Sequence, residues 1–414
     1  MKSINPRNLV ALLTLISLGA TAAENVPNNK DKAPAVRQHH RHVGPPPRAG
    51  GRLGDPLPDL TQDQLNDFTT GLNQFLEVET VESGLGPIYN NTSCANCHAT
   101  PTVGGSGVGL ETRFGFTDDK GNFDPLTELG GSLLQNQAID PRALERIPTE
   151  ANTIAQRQTT PLYGLGLIEA IPDQAIKDLA NRPKADGVLG RAALVDDVTT
   201  NEERVGRFGW KAQQATLLAF AGDAYVNEMG ITNRYFPTEN APNGNEQLLE
   251  EFDHVADPED TPDASGKADI DHFTDFMRYL APPPPPRPTA EVQVGFAIFT
   301  RIGCAECHVP TLYTGPNKIR ALDRKPVTLF SDLLLHDMGS LNDGIAQADA
   351  EPNEMKTAPL WGLRWSAPYL HDGRAPTVAD AIDGHDGEAA TARNRFDKLS
   401  TVQQKQLIEF LNNL

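Results

Sequence analysis

Apolar residues fall at helical spacing in several separate stretches of this chain. Phe68, Leu72, Phe75 and Leu76 share one helical face, which predicts a helix running on from Leu60. Ala212–Val226 predicts another, with Leu217, Leu218, Phe220 and Ala221 on its apolar side. Gln247–Phe252 and Ile270–Leu280 predict two more. Glu291–Ile302 carries Val294, Phe296, Ala297, Ile298 and Phe299. At the end of the chain, Leu407, Phe410, Leu411 and Leu414 form an i, i+3, i+4, i+7 stripe behind Ser400 and Gln403, a capping-box pair. Strict alternation of apolar and polar residues is scarce, and residues 99–160 read as mixed and loop-rich. The expectation is a mainly α chain.

Other stretches divide the chain. Met1–Ala22 has Lys2 and Arg7, an apolar run and then Ala20-Thr21-Ala22, the pattern of a cleavable secretory signal. No other stretch is long and apolar enough to span a membrane, so no integral membrane segment is expected after cleavage. Residues 23–57 are polar, rich in Pro and Gly, and predict a flexible leader. Pro282 to Pro286, then Arg287 and Pro288, must be extended, because proline lacks an N–H and blocks helix. This run predicts a semi-rigid linker between residues 58–281 and residues 289–414.

All four cysteines sit in one motif written twice: Cys94-Ala95-Asn96-Cys97-His98 and Cys304-Ala305-Glu306-Cys307-His308. Cys-x-x-Cys-His is the attachment pattern of c-type haem. Two thiols a short turn apart reach the two vinyl groups of one haem, and the adjacent His becomes the proximal iron ligand. Zinc knuckles, redox dithiols and a disulfide framework are the competing readings. No His lies between His98 and His254, so a zinc site at the first motif would lack nearby completing ligands. The chain thus predicts two covalently bound haem c groups, in two cytochrome c-like domains in tandem, the first enlarged by loop-rich insertions. Covalent haem attachment and an export signal together point to the periplasm. Pro161-Leu162-Tyr163-Gly164-Leu165 resembles Pro359-Leu360-Trp361-Gly362-Leu363, each following a haem motif, as duplication of one unit would produce.

The formal net charge of -19 disfavours nucleic acid and anionic membranes as partners. It suits a basic protein partner or a neutral small substrate.

The sixth position at each iron decides between electron transfer and oxidant binding. His336, Met338, His371 and His385 are candidates at the second haem. Only Met229 among methionines is available between His98 and His254, which leaves the first haem with an open or weakly ligated face. Glu169 is an acid in the apolar stretch Leu165–Pro172. Burial there would raise its pKa and suit it to handling the protons of peroxide. The alternative is a Glu that caps a helix or pairs with an arginine such as Arg157.

Together these segments resemble the bacterial di-haem oxidoreductases, relatives of the di-haem cytochrome c peroxidases. The resemblance runs through Pro161–Pro172, Gly206-Arg207-Phe208-Gly209-Trp210-Lys211, His336-Asp337-Met338-Gly339, Tyr369-Leu370-His371-Asp372-Gly373-Arg374 and His385-Asp386-Gly387-Glu388. It implies peroxide reduction at the N-terminal haem, with electrons from a soluble cytochrome or cupredoxin entering through the C-terminal one. It implies His385 as distal ligand of that haem, with His336, Met338 and His371 around it, and Trp210 on the path between haems. A calcium ion between the domains is implied too, with no ligands singled out. Glu354-Met355-Lys356-Thr357-Ala358-Pro359 lacks the Trp and Arg usual before the second Pro-Leu-Trp-Gly-Leu, which alters the haem surroundings or a propionate contact. A di-haem electron carrier and an oxidative modifier of a partner protein are the competing functions.

Overall fold

Each haem motif is approached in the same way. The helix Gln62–Phe75 leads to Cys94 and packs against the helix Asp269–Tyr279. The helix Ala290–Ile302 leads to Cys304 and packs against the C-terminal helix Thr401–Leu411. Each crossing is closed by a glycine. A Cβ on Gly71 would meet the His272 carbonyl at 2.3 Å, and one on Gly295 would meet that of Gln406 at 2.3 Å. Aromatic rings lock both pairs: Phe75 lies 4.8 Å from Phe276, and Phe299 lies 5.4 Å from Phe410, between ring centroids. The expected Ser400–Gln403 capping box is present, and a second, Thr61 with Gln64, starts the first helix.

These features come from a computed structural model that describes residues 51–284 and 289–414. The signal segment Met1–Ala22, most of the 23–57 leader and residues 285–288 of the proline run lie outside the described residues. No described helix is long and apolar enough to cross a membrane.

Among the described residues the secondary structure is mixed rather than mainly α, with 36% helix and 15% strand. Residues 99–160 hold an antiparallel sheet built on Leu110–Thr117 and Thr153–Gln158, in register from Leu110 opposite Gln158 to Gly115 opposite Thr153. Hydropathy hides this strand. Ile154 is exposed, while the inward positions include Arg157, whose charge is met by buried Asp343 at 2.7 Å. The expected helix over 212–226 begins later, at Leu217, because the Thr216 side chain accepts from the Ala219 amide as its N-cap. Ala212 has a φ of 52° and stands outside it.

One core cluster joins residues from both sides of the proline run, from Leu57 and Phe68 to Leu329, Leu333 and Trp361. A second gathers Ile298, Phe299, Phe330, Leu407 and Phe410. The two Pro-Leu-aromatic-Gly-Leu segments adopt matching turns. Gly164 and Gly362 have φ of 71° and 75°, and each starts a short helical turn. A Cβ on Gly164 would meet the Trp361 ring and Pro282, and one on Gly362 would meet Pro283. These glycines thus let Pro282 and Pro283 lie close against both turns.

Candidate haem centres

At the second motif, the Ala290–Ile302 helix ends on Gly303, whose φ of 101° turns the chain into Cys304–Glu306. His308 follows. Its Nδ1 lies 3.0 Å from the Phe330 carbonyl, which fixes the proton on Nδ1 and frees Nε2. Burial, then the neighbouring His385, lower its pKa to about 4, so the ring is neutral. His385 is prepared in the same way. Its Nδ1 lies 2.7 Å from the Ala381 carbonyl, and burial lowers its pKa. The two ring centroids are 6.3 Å apart. Two iron–nitrogen bonds of about 2 Å and two ring radii of about 1.1 Å sum to roughly 6 Å. The spacing fits one iron held between Nε2 atoms.

Beside this pair opens a cavity of about 300 Å³, lined by Cys304, Cys307, Phe299, Leu363, Ile382 and Leu411 among others. That volume is about twice the roughly 150 Å³ of an engineered apolar cavity that takes up benzene. The cavity, the thiols and the two imidazoles therefore fit a large apolar prosthetic group. Lys356 also lines it. Its ammonium is buried, with a hydrogen bond to the Thr357 carbonyl at 3.4 Å, and burial lowers its pKa to about 8. A buried cation at the edge of an apolar cavity suits an acidic substituent such as a haem propionate. Lys356 stands in the segment where the family Trp and Arg are missing.

At the first motif, Cys94–Cys97 forms a single helical turn and His98 follows. The loop after it folds back closely, since a Cβ on Gly107 would meet the Cys97 carbonyl at 2.1 Å. His98 Nδ1 lies 3.3 Å from the Gly105 carbonyl, and Phe75 packs beside the ring at 6.2 Å. Burial lowers its pKa to about 4. The cavity beside the second motif reaches Ser106, Thr160, Pro161 and Phe220, but Cys94, Cys97 and His98 do not line it.

The cysteines form no disulfide. Burial raises all four thiols, Cys304 to about 12, the reverse of what a redox dithiol needs. Cys307 does lie near His336 and Asp332, within 4.8 Å. That group offers a single thiolate, short of a four-ligand zinc site.

The second-haem candidates separate clearly. His336 is buried, with Nε2 3.0 Å from Asp332 and Nδ1 2.8 Å from Glu388. Against burial, these carboxylates raise its pKa to about 12, leaving an imidazolium with both nitrogens occupied. It is a poor iron ligand in this arrangement. Met338, His371 and Trp210 all line the cavity. Trp210 sits edge-on to His371 at 6.3 Å and donates from Nε1 to the Gln158 carbonyl at 2.8 Å. The Gln158 amide in turn donates to the His371 carbonyl at 2.6 Å.

Glu169 occupies the alternative place. Its Oε2 pairs with Arg278 at 3.0 Å, and its Oε1 accepts from the Leu217 amide at 2.8 Å, capping the Leu217–Met229 helix. The partner is Arg278 rather than Arg157. Glu169→Gln should keep both haems and leave peroxide turnover within about threefold, with a stability loss of about 1 kcal/mol or less. A loss of ~10²-fold in steady-state assays would return the proton-handling role to it.

Residues 141–414 match the family model described as "Di-haem oxidoreductase, putative peroxidase". The chain belongs to the di-haem oxidoreductase family. Among curated relatives, this di-haem oxidoreductase is 24% identical over 152 residues to cytochrome-c peroxidase IdrP1 of Denitromonas iodatirespirans. The match covers 30% of this chain and 40% of that relative, well under two thirds of its length. Among solved structures, it resembles hydrazine synthase of Kuenenia stuttgartiensis at 16% identity and a TM-score of 0.37, over 92% of this chain and 100% of that one. It also resembles the diheme peroxidase BthA of Burkholderia thailandensis at 13% identity and a TM-score of 0.33, over 84% and 86%.

Proposed function

We propose that this chain is a periplasmic, peroxidase-like enzyme with two covalently attached haem c groups. Cys94 and Cys97 hold one haem above His98, and Cys304 and Cys307 hold the other above His308. Peroxide or a related small oxidant is reduced at the first, with electrons delivered through the second from a soluble cytochrome or cupredoxin. The observation that carries this reading is the 6.3 Å spacing of His308 and His385 beside Cys304 and Cys307. Two strong ligands make an electron-transfer centre, whereas His98 has no comparable histidine opposite it among the described ring contacts. When bound, haem supplies one-electron storage at both centres and an oxidant-binding position where a face stays free. The chain's own residues do the rest. Phe330 and Ala381 carbonyls hold His308 and His385 in the ligating tautomer. Trp210, set by Gln158 and His371, serves as the path between centres. Lys356 would hold a propionate. The calcium ion implied by the family resemblance belongs to this reading without assigned ligands. The export-signal pattern of Met1–Ala22 supports the periplasmic location.

Low-temperature EPR of the ferric holoprotein tests the division of labour. One high-spin and one low-spin signal, both consumed by peroxide, are expected. Two low-spin signals indifferent to peroxide, before and after partial reduction, would favour an electron carrier. His385→Ala should convert the low-spin signal to high spin while both haems stay attached. An unaltered spectrum would move the ligand to Met338 or His371.

A further inference from the structure

Away from the cavity, Glu239, Asp257 and Glu259 each bring a carboxylate oxygen within 4.8 Å of the others. Glu239 is only 7% exposed, and its Oε2 is buried without a hydrogen-bond partner. Glu259 Oε2 is buried and unpartnered in the same way. The bonds that the cluster does receive come from neutral donors. Thr232 Oγ1 donates to Asp257 at 2.6 Å, and the Asn240 amide to Glu239 at 3.3 Å. The charged groups acting most strongly on Glu239 are all carboxylates, those of Glu259, Asp253 and Asp257. Orphaned, buried, like-charged oxygens are costly unless a cation or protons compensate them.

The surrounding backbone is shaped to let them meet. Gly230 ends the Leu217–Met229 helix with a φ of 64°, and Glu239 Oε1 lies 3.1 Å from where its Cβ would stand. A Cβ on Gly84, at φ 101°, would meet Glu259 Oε2 at 2.8 Å. Gly86 presses on the Gly230 backbone, and its amide donates to the Met229 carbonyl at 3.0 Å. The carbonyl end of a helix adds negative potential beside the cluster.

We infer that Glu239, Asp257 and Glu259 form a site for one calcium ion, which ties the Gly84–Gly86 turn ahead of the first haem motif to the helix end and the 253–260 loop. Oxygens around calcium stand 2.3–2.6 Å from it, so two of them lie up to about 5 Å apart. Magnesium, at about 2.1 Å, tolerates only about 4 Å and insists on octahedral geometry. All three ligands precede the proline run, so this is not an ion between the two halves of the chain. The inference is independent of the haem chemistry. Burial and mutual repulsion raise Glu239 to about 9 and Glu259 to about 8. Calcium must therefore displace protons, and its affinity rises with pH up to that range.

The test uses the full-length holoprotein, stripped with EDTA and titrated with calcium chloride at pH 8. One ion should bind through these residues, with proton release seen as a dependence of calorimetric heat on buffer. Tm should rise by roughly 3–6 °C at a hundredfold excess over Kd. Glu239→Gln/Asp257→Asn should lose that ion and the shift, yet melt in EDTA no lower than the parent, since like-charge repulsion is relieved. Glu259→Gln alone serves the same purpose if the double variant fails to fold. A parent without a shift at about 10 mM calcium would overturn the site, because the weakest extracellular sites saturate there. So would a shift that survives the substitutions, or an equal response to magnesium.

Discussion

Cys304→Ala/Cys307→Ala should cost the protein its second haem and most of its folded yield. Haem staining after denaturing electrophoresis should fall to half, and a pyridine haemochrome titration should fall from two haems per chain to one. The stability consequence follows from the cavity. Without haem, the apolar walls of a cleft of about 300 Å³ are left to water, and each large apolar side chain so exposed forgoes about 1.5–3 kcal/mol of burial. Urea or thermal melts of whatever accumulates should show a loss on that scale. Loosely held haem would soften the loss but would still wash out of the denaturing gel. Two haems retained in the denatured double variant would sink the assignment of the second motif. Cys304→Ala alone, keeping one thioether, should sit between the parent and the double variant.

What the sequence made legible and what it concealed differ for physical reasons. The Cys-x-x-Cys-His motifs are legible because they are local patterns, and the helices leading into them because amphipathic helices demand a period near 3.6. The Ser400–Gln403 box was readable because capping is local chemistry. The strand Thr153–Gln158 was not, because its inward face carries Arg157 and its outward face Ile154, reversing the usual code. The partner that makes this tolerable, Asp343, lies 186 residues away. Glu169 shows the same limit. An acid in an apolar stretch looked desolvated, yet its partners, Arg278 and the Leu217 amide, come from distant segments. His336 looked like one ligand candidate among four until Asp332 and Glu388 were seen on its two nitrogens. Lys356 was noticed only as a departure from a family pattern, and its place on the cavity wall depends on tertiary packing. Thr216, by contrast, is local chemistry that the 212–226 reading passed over: its N-cap bond starts the helix at Leu217.

Asp343→Ala should be the most damaging single substitution away from the haem ligands. Its side chain is fully buried, 2.7 Å from Arg157 and 3.0 Å from Lys211, whose own side chains are 2% and 0% exposed. Removing the carboxylate leaves buried Lys211 without its ion-pair partner and buried Arg157 with only Glu111, at 3.9 Å. Breaking a buried pair in this way costs about 3–5 kcal/mol, against near zero for most surface pairs. Asp343→Asn retains shape and an acceptor for the Ile345 amide, so it should lose less. The pH dependence has a defined sign. Burial raises the Asp343 pKa, but Arg157 and Lys211 outweigh it and hold the group below the usual carboxylate value. Its stabilisation is therefore fully present above the unfolded pKa of about 4 and lost as pH falls through the lower folded value. The network also reaches the haem surroundings. Lys211 donates to the carbonyls of Glu351, Pro352 and Glu354, and the Lys356 amide donates to the Trp210 carbonyl. Asp343→Ala should consequently loosen Trp210 and Lys356 as well as lower Tm, and slow electron transfer between the haems in a flash-reduction experiment. Melts that differ from the parent by less than about 1 kcal/mol would show that Arg157 and Lys211 find other compensation, and would remove Asp343 as the organiser of this wall.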